Sequence, residues 1–564
     1  MYAAFVLGLI RWTGSFPTVT NLQGWARTDH AGRLERQDPF DVVVIGGGVT
    51  GAGAALDLGA RGLDVALVER SDFAQGTSSR STKLFHGGIR YLPQFHFGLV
   101  SEGLREQKIL ARVADFLYHP LSFVIPMYAQ YGIADAPAWA ARGWKAPLAL
   151  RAGLTAYDLL GGLGRPGSRH HSTTAEELLA AIPTLRHEGL KSGFVYSDAQ
   201  TDDARLVISL LKTSVVRYGT TAVNQVEVES VETAGNGFEL NMVDRMTGAR
   251  FTSRARSVLS ATGAFDPPGL DGVASLQVVR SKGSHLIVSR ELLGLGDRAL
   301  VLPETDDGRV LYIVPWLGHS MIGTTDTPYR TEPTHPTSTP EDNEYLIRHV
   351  RRYLDVGAFE PLSTFAGLRA LKDTGAASTA KVSREHVIEQ PVPGYVQVAG
   401  GKLTTYRRIA AEAADVVAGA LGVRVASSTK DIPLLGAGVD RLRLVRELQD
   451  AGADPRVIEP TIARNGGDTT RIADLMRSDP RLTSPLSDER TSLADVLHAV
   501  RHEGAARLSD VTLRRTHLAW FTPDHGRADV ERIAEVMAAE LGWSPSERQS
   551  QIEAHDRELL AEAL

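Results

Sequence analysis

A short glycine-containing turn carries three side chains suited to binding an anion and moving a proton. In SRSTKLFHGGIRYL, residues 79–92, His86 precedes two adjacent glycines, and Arg90 and Tyr91 follow them. A glycine pair costs conformational entropy and lets the backbone approach another group closely. A guanidinium binds anionic oxygens through a planar fork, and an imidazole exchanges a proton near neutral pH. The turn is therefore a candidate site for anion binding and proton transfer; the competing interpretation is an ordinary turn.

A nucleotide-binding motif precedes this turn. Gly46, Gly48 and Gly51 form a G-x-G-x-x-G pattern directly after the apolar run FDVVVI, and Glu69 ends the next apolar run. In such motifs the first glycine makes a tight turn, the second admits a pyrophosphate and the third lets helix and strand pack closely. The acidic residue accepts hydrogen bonds from a ribose. The order strand, turn, helix, strand predicts a Rossmann-type dinucleotide site, for which NAD and FAD are both candidates.

Two later segments are predicted to lie beside the same nucleotide. The sequence ARSVLSATGAFDP, residues 255–267, is typical of a strand that ends in a small turn at Thr262 and Gly263. The run TAVNQVEVESVE, residues 221–232, is strand-like and contains Val228. We expect this run to lie against the adenine.

A glycine pair far downstream distinguishes between the two dinucleotides. Gly400, Gly401 and Lys402 follow an apolar strand and open a helix expected to start near Leu403 and to end at Gly422. Free amides and the positive end of a helix dipole stabilise a nearby anion. A reduced flavin carries negative charge on its N1–C2=O edge, so the feature favours FAD. An NAD-dependent enzyme would leave this helix start without an evident partner.

Composition excludes several classes of protein. The chain has 564 residues, 43% of them hydrophobic, which is enough for roughly two to four domains. A net charge of −6 argues against a nucleic-acid-binding protein. The absence of cysteine excludes disulfides, thiolate metal sites and cysteinyl-flavin links, so any FAD is expected to be non-covalent and the setting cytoplasmic. The adjacent His170 and His171 point in different directions, and no metal site is predicted.

Neither end of the chain predicts a membrane span. The first ten residues are apolar but too few to cross a bilayer, and residues 1–39 are expected to form a loose arm. From about residue 426 onward, the sequence shows amphipathic patterns with helical spacing, which predict a helical C-terminal domain at 426–564.

Seven motifs in a fixed order carry a family resemblance. They are VVVIGGGVTGAGAALDLGARGL, GTSSRSTKLFHGGIRYL, YSDAQTDDARL, SKGSHLIV, YIVPW with IGTTDT, GLRAL and AGGKLTTYR. From about residue 40 onward, the chain resembles the FAD-dependent glycerol-3-phosphate dehydrogenases. The resemblance implies an α/β fold in which a glutathione-reductase-like, FAD-binding Rossmann domain is interleaved with a D-amino-acid-oxidase-type α+β substrate domain, followed by the all-helical domain.

The resemblance also sets approximate boundaries. It implies that the FAD-dependent oxidoreductase region spans 40–425. Its FAD-binding parts are expected at about 40–114, 201–269 and 369–425, and its substrate-binding parts at about 115–200 and 270–368.

The reaction implied by the resemblance is oxidation of sn-glycerol 3-phosphate to dihydroxyacetone phosphate, with electrons passed to a membrane quinone. Arg90 and Arg369 are then expected to bind the phosphate, with His86 and Tyr91 near the substrate and Lys402 beside the flavin. The glycine pair after His86 would let the chain pass closely under the isoalloxazine. The implied flavin contacts are Gly46, Gly48, Gly51, Glu69, Thr77, Ser78, Ser79, Lys83, Gly263, Gly401 and Thr404. Ala370 stands where the family commonly has proline, which puts the rigidity of Arg369 in question.

The chemistry of this reaction leaves its base undecided. Oxidation of the C2 alcohol sends a hydride to the flavin and the hydroxyl proton to a base, for which His86 and His285 are both candidates. Three other functions stay open: an oxidase that uses O₂, an amine oxidase of the same fold, and a nucleotide-binding scaffold without turnover. Two arginines suited to a phosphate disfavour the amine oxidase, and the full set of candidate site residues disfavours the scaffold.

A quinone acceptor requires access to a bilayer surface. Residues 123–162 interleave Trp and Tyr with Arg and Lys, which suits a peripheral contact with the inner face of the plasma membrane. Packing inside the protein explains the same composition equally well. The resemblance also allows a homodimer.

Overall fold

The computed structural model describes residues 24–35, 38–89, 96–134, 141–162, 169–270, 272–274, 276–331, 334–372 and 386–562. Two predicted site residues, Arg90 and Tyr91, lie outside these ranges.

Strands and helices alternate up to residue 420, and helices follow. The strands are β1 (Phe40–Ile45), β2 (Val65–Val68), β3 (Leu84–Phe85), β4 (His119–Tyr128), β5 (His171–Thr174), β6 (Leu190–Gln200), β7 (Thr221–Val223), β8 (Val226–Ala234), β9 (Gly237–Asp244), β10 (Arg250–Ser260), β11 (Gly269–Leu270), β12 (Val278–Ser289), β13 (Ala299–Leu302), β14 (Leu311–Trp316), β15 (His319–Gly323), β16 (Thr327–Tyr329), β17 (Ser363–Lys372), β18 (Val387–Val392) and β19 (Tyr395–Ala399).

The helices of the described chain are α1 (Arg27–Leu34), α2 (Val49–Ala60), α3 (Phe97–Val113), α4 (Lys145–Leu160), α5 (Ala175–Ala181), α6 (Asp203–Tyr218), α7 (Arg290–Leu293), α8 (Pro340–Tyr353), α9 (Tyr406–Ala420), α10 (Arg441–Asp450), α11 (Pro455–Asn465), α12 (Thr469–Ser478), α13 (Leu493–His502), α14 (Leu518–Phe521), α15 (Val530–Leu541) and α16 (Pro545–Ala561).

The first sheet has a parallel centre in the order β7–β2–β1–β10–β19. Its strands are continuous β-branched runs because both faces are covered, which is typical of parallel sheets. Helices α2, α6 and α9 supply much of the cover on one face, through a core that includes Leu58, Leu211 and Ala413. The antiparallel strands β8 and β9 extend the sheet beside β10.

The second sheet follows the order β16–β12–β15–β14–β13–β4–β6–β3, and β17 pairs with β12 along ten residues. Strand β17 carries Arg369, so the approximate boundary predicted at residue 369 falls inside a strand of this sheet. Strand β3 also pairs here, with β6. The segment at about 40–114, expected to bind FAD, therefore contributes strands to both sheets.

The expectation of a loose arm is wrong for residues 24–35. Trp25 is buried, packs against Phe73 and donates from its indole nitrogen to the Ala222 carbonyl. The following residues form α1, which contacts β7. Trp25 does not act alone: Leu34 is buried at the other end of the segment, and Arg27 pairs with Asp244, so several contacts together hold the segment on the first sheet.

Buried ion pairs join the helices after residue 426 to α6 and to the loop after β2. Arg205 on α6 makes a bidentate pair with Glu503, and Lys212 pairs with Asp468. Asp72, in the loop after β2, pairs with Arg514 and Arg515. Groups of this kind are tolerated in an interior only when both charges are matched. The C-terminal helices are therefore fixed on the nucleotide-binding half of the fold.

Candidate active site

One cavity of about 1110 Å³ joins the two sheets. It opens beyond the carboxyl ends of β1, β2 and β10, where parallel sheets usually bind ligands. Strands β12 and β17 of the second sheet form part of the opposite wall. Residues of α16, including Gln551 and Arg557, close another part. The C-terminal domain thus contributes directly to this site.

The glycine motif forms a closely packed turn at one end of the cavity. Gly46 has φ +110°, and a Cβ at this position would stand 2.6 Å from the Ala261 carbonyl oxygen. A side chain at Gly51 would clash with the Gly46 carbonyl, so this glycine lets α2 pack against β1 and does not face the cavity. Gly48 caps α2 and lines the cavity. Such a cradle, at a helix N-terminus and free of side chains, fits the pyrophosphate of FAD.

Two polar side chains hold this turn in place. Glu69 accepts hydrogen bonds from the Gly47 amide (2.8 Å) and the Ser71 amide (2.9 Å), and burial raises its pKa. Ser78 accepts from the Val49 amide at 2.9 Å. Both residues line the cavity, as do Thr77, Val228, Thr262 and Gly263.

The loop at 77–83 docks on β17 and holds Lys83 and Ser79 off the cavity wall. The Thr77 hydroxyl donates to the Leu368 carbonyl, and Gly367 packs against Arg80. Lys83 is buried and pairs with Asp203 at 2.6 Å. Lys83 therefore fixes the loop to the start of α6.

His285 and Arg369 occupy the same face of the second sheet. His285 on β12 lies opposite Phe365 on β17, and Arg369 lies opposite Ser281. Between these pairs, Gly283 lies opposite Gly367. A Cβ at Gly283 would clash with the Arg369 guanidinium, which therefore lies over this glycine. Gly283, under the guanidinium, and His285 are alternate residues of β12 and are therefore about 6.6 Å apart. This spacing is roughly the length of a small phosphoester.

The site keeps His285 neutral. Burial, together with the charges of Arg369 and Lys83, lowers its pKa well below the ordinary value. Its Nε2 lies 3.1 Å from the Thr82 hydroxyl, its ring stacks on Phe365, and its buried Nδ1 has no hydrogen-bond partner among the described residues. A neutral imidazole at the cavity wall can accept a proton.

Arg369 is held by the loop after β15. Its Nη2 donates to the Thr324 hydroxyl at 3.1 Å and, with Nη1, to the Thr325 carbonyl at 3.3 Å, while Asp326 lies 3.8 Å away. These contacts orient the guanidinium. An arginine that lines a cavity in a defined orientation is suited to a phosphate.

Thr404 binds the main chain of His86. Lys402, Gly401 and His86 line the cavity, whereas Thr404 is buried behind it. The Thr404 hydroxyl accepts from the His86 amide at 3.1 Å and donates to the His86 carbonyl at 3.2 Å. Residues Leu403–Thr405 form a 3-10 turn, and α9 begins only at Tyr406.

The glycine pair after His86 was expected to let the chain pass closely under the isoalloxazine, but local packing and backbone conformation explain it. Neither glycine lines the cavity. A Cβ at Gly87 would stand 2.5 Å from the Tyr157 hydroxyl and 2.7 Å from Leu104, and Gly88 has φ +81°. Gly87 is thus required for packing and Gly88 for backbone conformation.

The structure brings most of the predicted residues to one cavity. On its wall are His86, His285, Arg369, Lys402, Gly46, Gly48, Glu69, Thr77, Ser78, Val228, Thr262, Gly263 and Gly401. Off the wall are Gly51, Ser79, Lys83 and Thr404. Sequence reasoning assigned no role to other lining residues, including Thr82, Gln225, Arg309, Tyr312, Asp326 and Arg557. Tyr312 and Asp326 lie in the motifs YIVPW and IGTTDT, so the sequence indicated that these segments are functional. Nothing in the sequence of α16 indicated that its residues line the cavity.

Known proteins resemble this chain over nearly all of its length. The family described as FAD dependent oxidoreductase matches residues 41–414, and the C-terminal domain of alpha-glycerophosphate oxidase matches residues 427–548. Glycerol-3-phosphate dehydrogenase 2 of Mycobacterium tuberculosis is 35% identical over 548 residues, which are 93% of this chain and 89% of that protein. The human mitochondrial glycerol-3-phosphate dehydrogenase is 33% identical over 92% of this chain and 73% of its own.

A solved structure extends the comparison to the fold. The glycerol-3-phosphate dehydrogenase from Bacillus halodurans, complexed with FAD, superposes with a TM-score of 0.75 at 26% identity, covering 95% of this chain and 98% of that chain. The mixed α/β oxidoreductase fold with a helical C-terminal domain is confirmed. The chain belongs to the family of FAD-dependent glycerol-3-phosphate dehydrogenases, and its cofactor is FAD.

Proposed function

We propose that this protein oxidises sn-glycerol 3-phosphate to dihydroxyacetone phosphate in the cavity described above. The observation that carries the proposal is the common face of β12 and β17, where Arg369 reaches over Gly283 toward His285. Arg369 binds the phosphate, and His285 takes the C2 hydroxyl proton. When bound, FAD supplies the hydride acceptor.

His285 is the stronger candidate for the base. It lines the cavity on the face of the second sheet that carries Arg369, and its lowered pKa leaves the imidazole unprotonated at neutral pH. His86 also lines the cavity, and its main chain is fixed by Thr404. We assign His86 to substrate positioning, with Lys402 beside the flavin. Arg90 and Tyr91, outside the described residues, remain predicted substrate contacts.

Anaerobic addition of glycerol 3-phosphate to the purified flavoprotein tests this proposal. We expect the absorbance near 450 nm to fall as the flavin is reduced. Glycerol, which lacks the phosphate, should leave the band unchanged at the same concentration, and dithionite should bleach it in every sample. A spectrum that responds to dithionite alone would contradict the proposed substrate.

The proposed electron acceptor is a membrane quinone. The match to a glycerophosphate oxidase C-terminal domain makes O₂ the second candidate. With glycerol 3-phosphate present, we expect a water-soluble quinone analogue to be reduced faster than hydrogen peroxide is formed. Peroxide formed at a rate equal to substrate consumption, even with the analogue present, would identify an oxidase.

The outer face of α4 supports a contact with a bilayer surface. Trp144, Leu148 and Leu159 are 75%, 57% and 59% exposed and share this face, together with Lys145 and Arg151. Exposed apolar side chains among basic ones suit the interface of anionic lipids. None of the helices in the described part of the chain has the length and apolar character needed to cross a bilayer. We therefore propose peripheral attachment to the inner face of the plasma membrane; a homodimer stays a prediction.

Vesicle flotation tests this surface. The protein should float with vesicles of phosphatidylglycerol and phosphatidylcholine, and the combined variant Trp144→Ser, Leu148→Ser, Leu159→Ser should not. Each large apolar side chain buried in lipid contributes about 1.5–3 kcal/mol, so the variant should lose at least about 100-fold in partitioning. Leu442→Ser is the matched control, because Leu442 is 71% exposed on α10. Equal flotation of both variants would exclude α4 as the contact.

A further inference from the structure

Three buried side chains satisfy the main chain around His86. The Phe85 carbonyl accepts from Gln107 Nε2 at 2.8 Å, and the His86 amide and carbonyl bind the Thr404 hydroxyl. The Gly87 amide donates to the Tyr157 hydroxyl at 2.8 Å. Main-chain polar groups at a turn are usually satisfied by neighbouring main chain or water. Here side chains from α3, α4 and the turn before α9 determine the path of the backbone.

Asp198 orients two of these side chains. One carboxylate oxygen, Oδ1, accepts from the Tyr157 hydroxyl at 2.6 Å and from Gln107 Nε2 at 3.0 Å. The Gly87 amide lies 3.5 Å from the same oxygen. Asp198 lies on β6 and is 4% exposed. It lies behind the cavity wall, so it acts on the site only through Tyr157, Gln107 and the turn.

Among the residues that the structure describes, no cation pairs with the Asp198 carboxylate. Burial raises the pKa of Asp198 to about 7, and the hydrogen bonds it accepts limit the rise. A buried carboxyl group without an ionic partner costs stability. Its presence here is therefore better explained by the orientation it gives to Tyr157 and Gln107.

The geometry points to Tyr157 and Asp198 as positioning residues for the oxidation step, acting through the Gly87 amide on the placement of His86. This inference rests on the proposed function, because His86 is taken to position the substrate. Packing supports it: Gly103 and Leu104 of α3 also press on Gly87, so the turn has little freedom once the Tyr157 hydrogen bond is made.

Tyr157→Phe is the sharpest test, because it removes one hydroxyl and keeps the packing. The Gly87 amide would then retain only the 3.5 Å contact with Asp198. In anaerobic stopped-flow measurements we expect the limiting rate of flavin reduction to fall about tenfold, with little change in the Kd of glycerol 3-phosphate. Hydrogen exchange at residues 84–89 should accelerate in the same variant. A limiting rate and an exchange rate equal to those of the wild type would overturn the inference.

Matched variants separate positioning from general stability. Tyr353, at the end of α8, has a buried hydroxyl that donates to the Glu304 carbonyl and does not contact the turn. Tyr353→Phe removes this hydroxyl and should leave the limiting rate unchanged. Asp198→Asn keeps an acceptor oxygen and should retain most of the rate, whereas Asp198→Ala should lose as much as Tyr157→Phe. If Tyr353→Phe lowers the rate equally, the effect is one of stability and the inference is wrong.

The two proposals fail in different ways. If glycerol 3-phosphate does not bleach the wild-type flavin, the proposed substrate is wrong. Hydrogen exchange at 84–89 is measured without substrate and still reports whether Tyr157 holds the turn. If the wild type is bleached but Tyr157→Phe exchanges and reduces normally, only the positioning inference is wrong.

Discussion

Replacement of Arg369 by methionine is expected to raise the Kd of glycerol 3-phosphate by about 30- to 1000-fold, with FAD still bound. A hydrogen-bonded charge pair that loses one partner costs about 2–4 kcal/mol, because the other charge is left without compensation. Methionine keeps an unbranched stem on the strand while removing the guanidinium and its charge. Stopped-flow reduction of the flavin over a range of substrate concentrations measures the change.

The structural reason for this expectation is the fixed orientation of the guanidinium. Thr324 and Thr325 hold one edge of Arg369, and the strand pairing of β12 with β17 places it on the side of the sheet that carries His285. Lysine at this position keeps the charge but lacks the planar fork. Arg369→Lys should therefore recover only part of the lost affinity.

Arg348→Met is the control for loss of an arginine. Arg348 lies on α8, is about half exposed and pairs with Asp306 away from the cavity. Its removal should leave both the Kd and the limiting rate unchanged, since exposed ion pairs contribute little. If Arg369→Met binds glycerol 3-phosphate as tightly as Arg348→Met, the phosphate is bound elsewhere.

The sequence predicts those parts of the site whose constraints are local. Gly46 and Gly48 are recognisable because the turn that admits a phosphate needs glycine at fixed spacing, whatever the rest of the fold does. His285 and Arg369 were each identifiable within a motif, but their common face depends on the register of β12 with β17. Register between segments separated by some 80 residues is set by the whole sheet.

Other features escaped prediction because a neighbour in space decides them. The 3-10 turn at Leu403–Thr405 directs the Thr404 hydroxyl to the main chain of His86, a contact that the sequence does not indicate. Trp25 lies in a polar, turn-rich segment, and its burial depends on contacts with Phe73 and Ala222, which are distant in sequence. Helix α16 has an ordinary surface-helix sequence, and nothing in it indicates that it lines a cavity formed mainly by residues hundreds of positions earlier.

The second large effect is expected at Asp72, whose replacement by alanine should destabilise the protein by about 3–5 kcal/mol. Asp72 is fully buried and binds Arg514 and Arg515, which follow one another in the π-helical segment Asp510–Arg515. Alanine would leave both guanidinium groups buried with less compensation. Thermal unfolding of the holoprotein measures the loss; Asp306→Ala, which removes an exposed partner of Arg348, should change the melting temperature little.

The stability that Asp72 contributes should decrease as the pH falls. Burial opposes ionisation of Asp72, but the charges of Arg515 and Arg514 outweigh it and hold its pKa below the ordinary value. A carboxyl group with a lowered pKa stabilises the fold above its unfolded-state pKa of about 4, and this contribution is lost as the pH falls toward the folded-state value. The difference between wild type and Asp72→Ala should therefore be full at pH 7 and shrink below pH 4. A difference that grows on acidification would show that Asp72 is not held as an anion.

The same substitution should also weaken FAD binding, although Asp72 does not line the cavity. Asp72 lies three residues beyond Glu69, and Arg514 in turn contacts Glu558 of α16, which does line it. Loss of Asp72 releases both the loop that carries Glu69 and the helix that closes the cavity. After dilution, FAD should dissociate faster from Asp72→Ala than from Asp306→Ala, and the rise in fluorescence of the free flavin measures this rate. Equal release would mean that the C-terminal helices stabilise the fold without holding the cofactor.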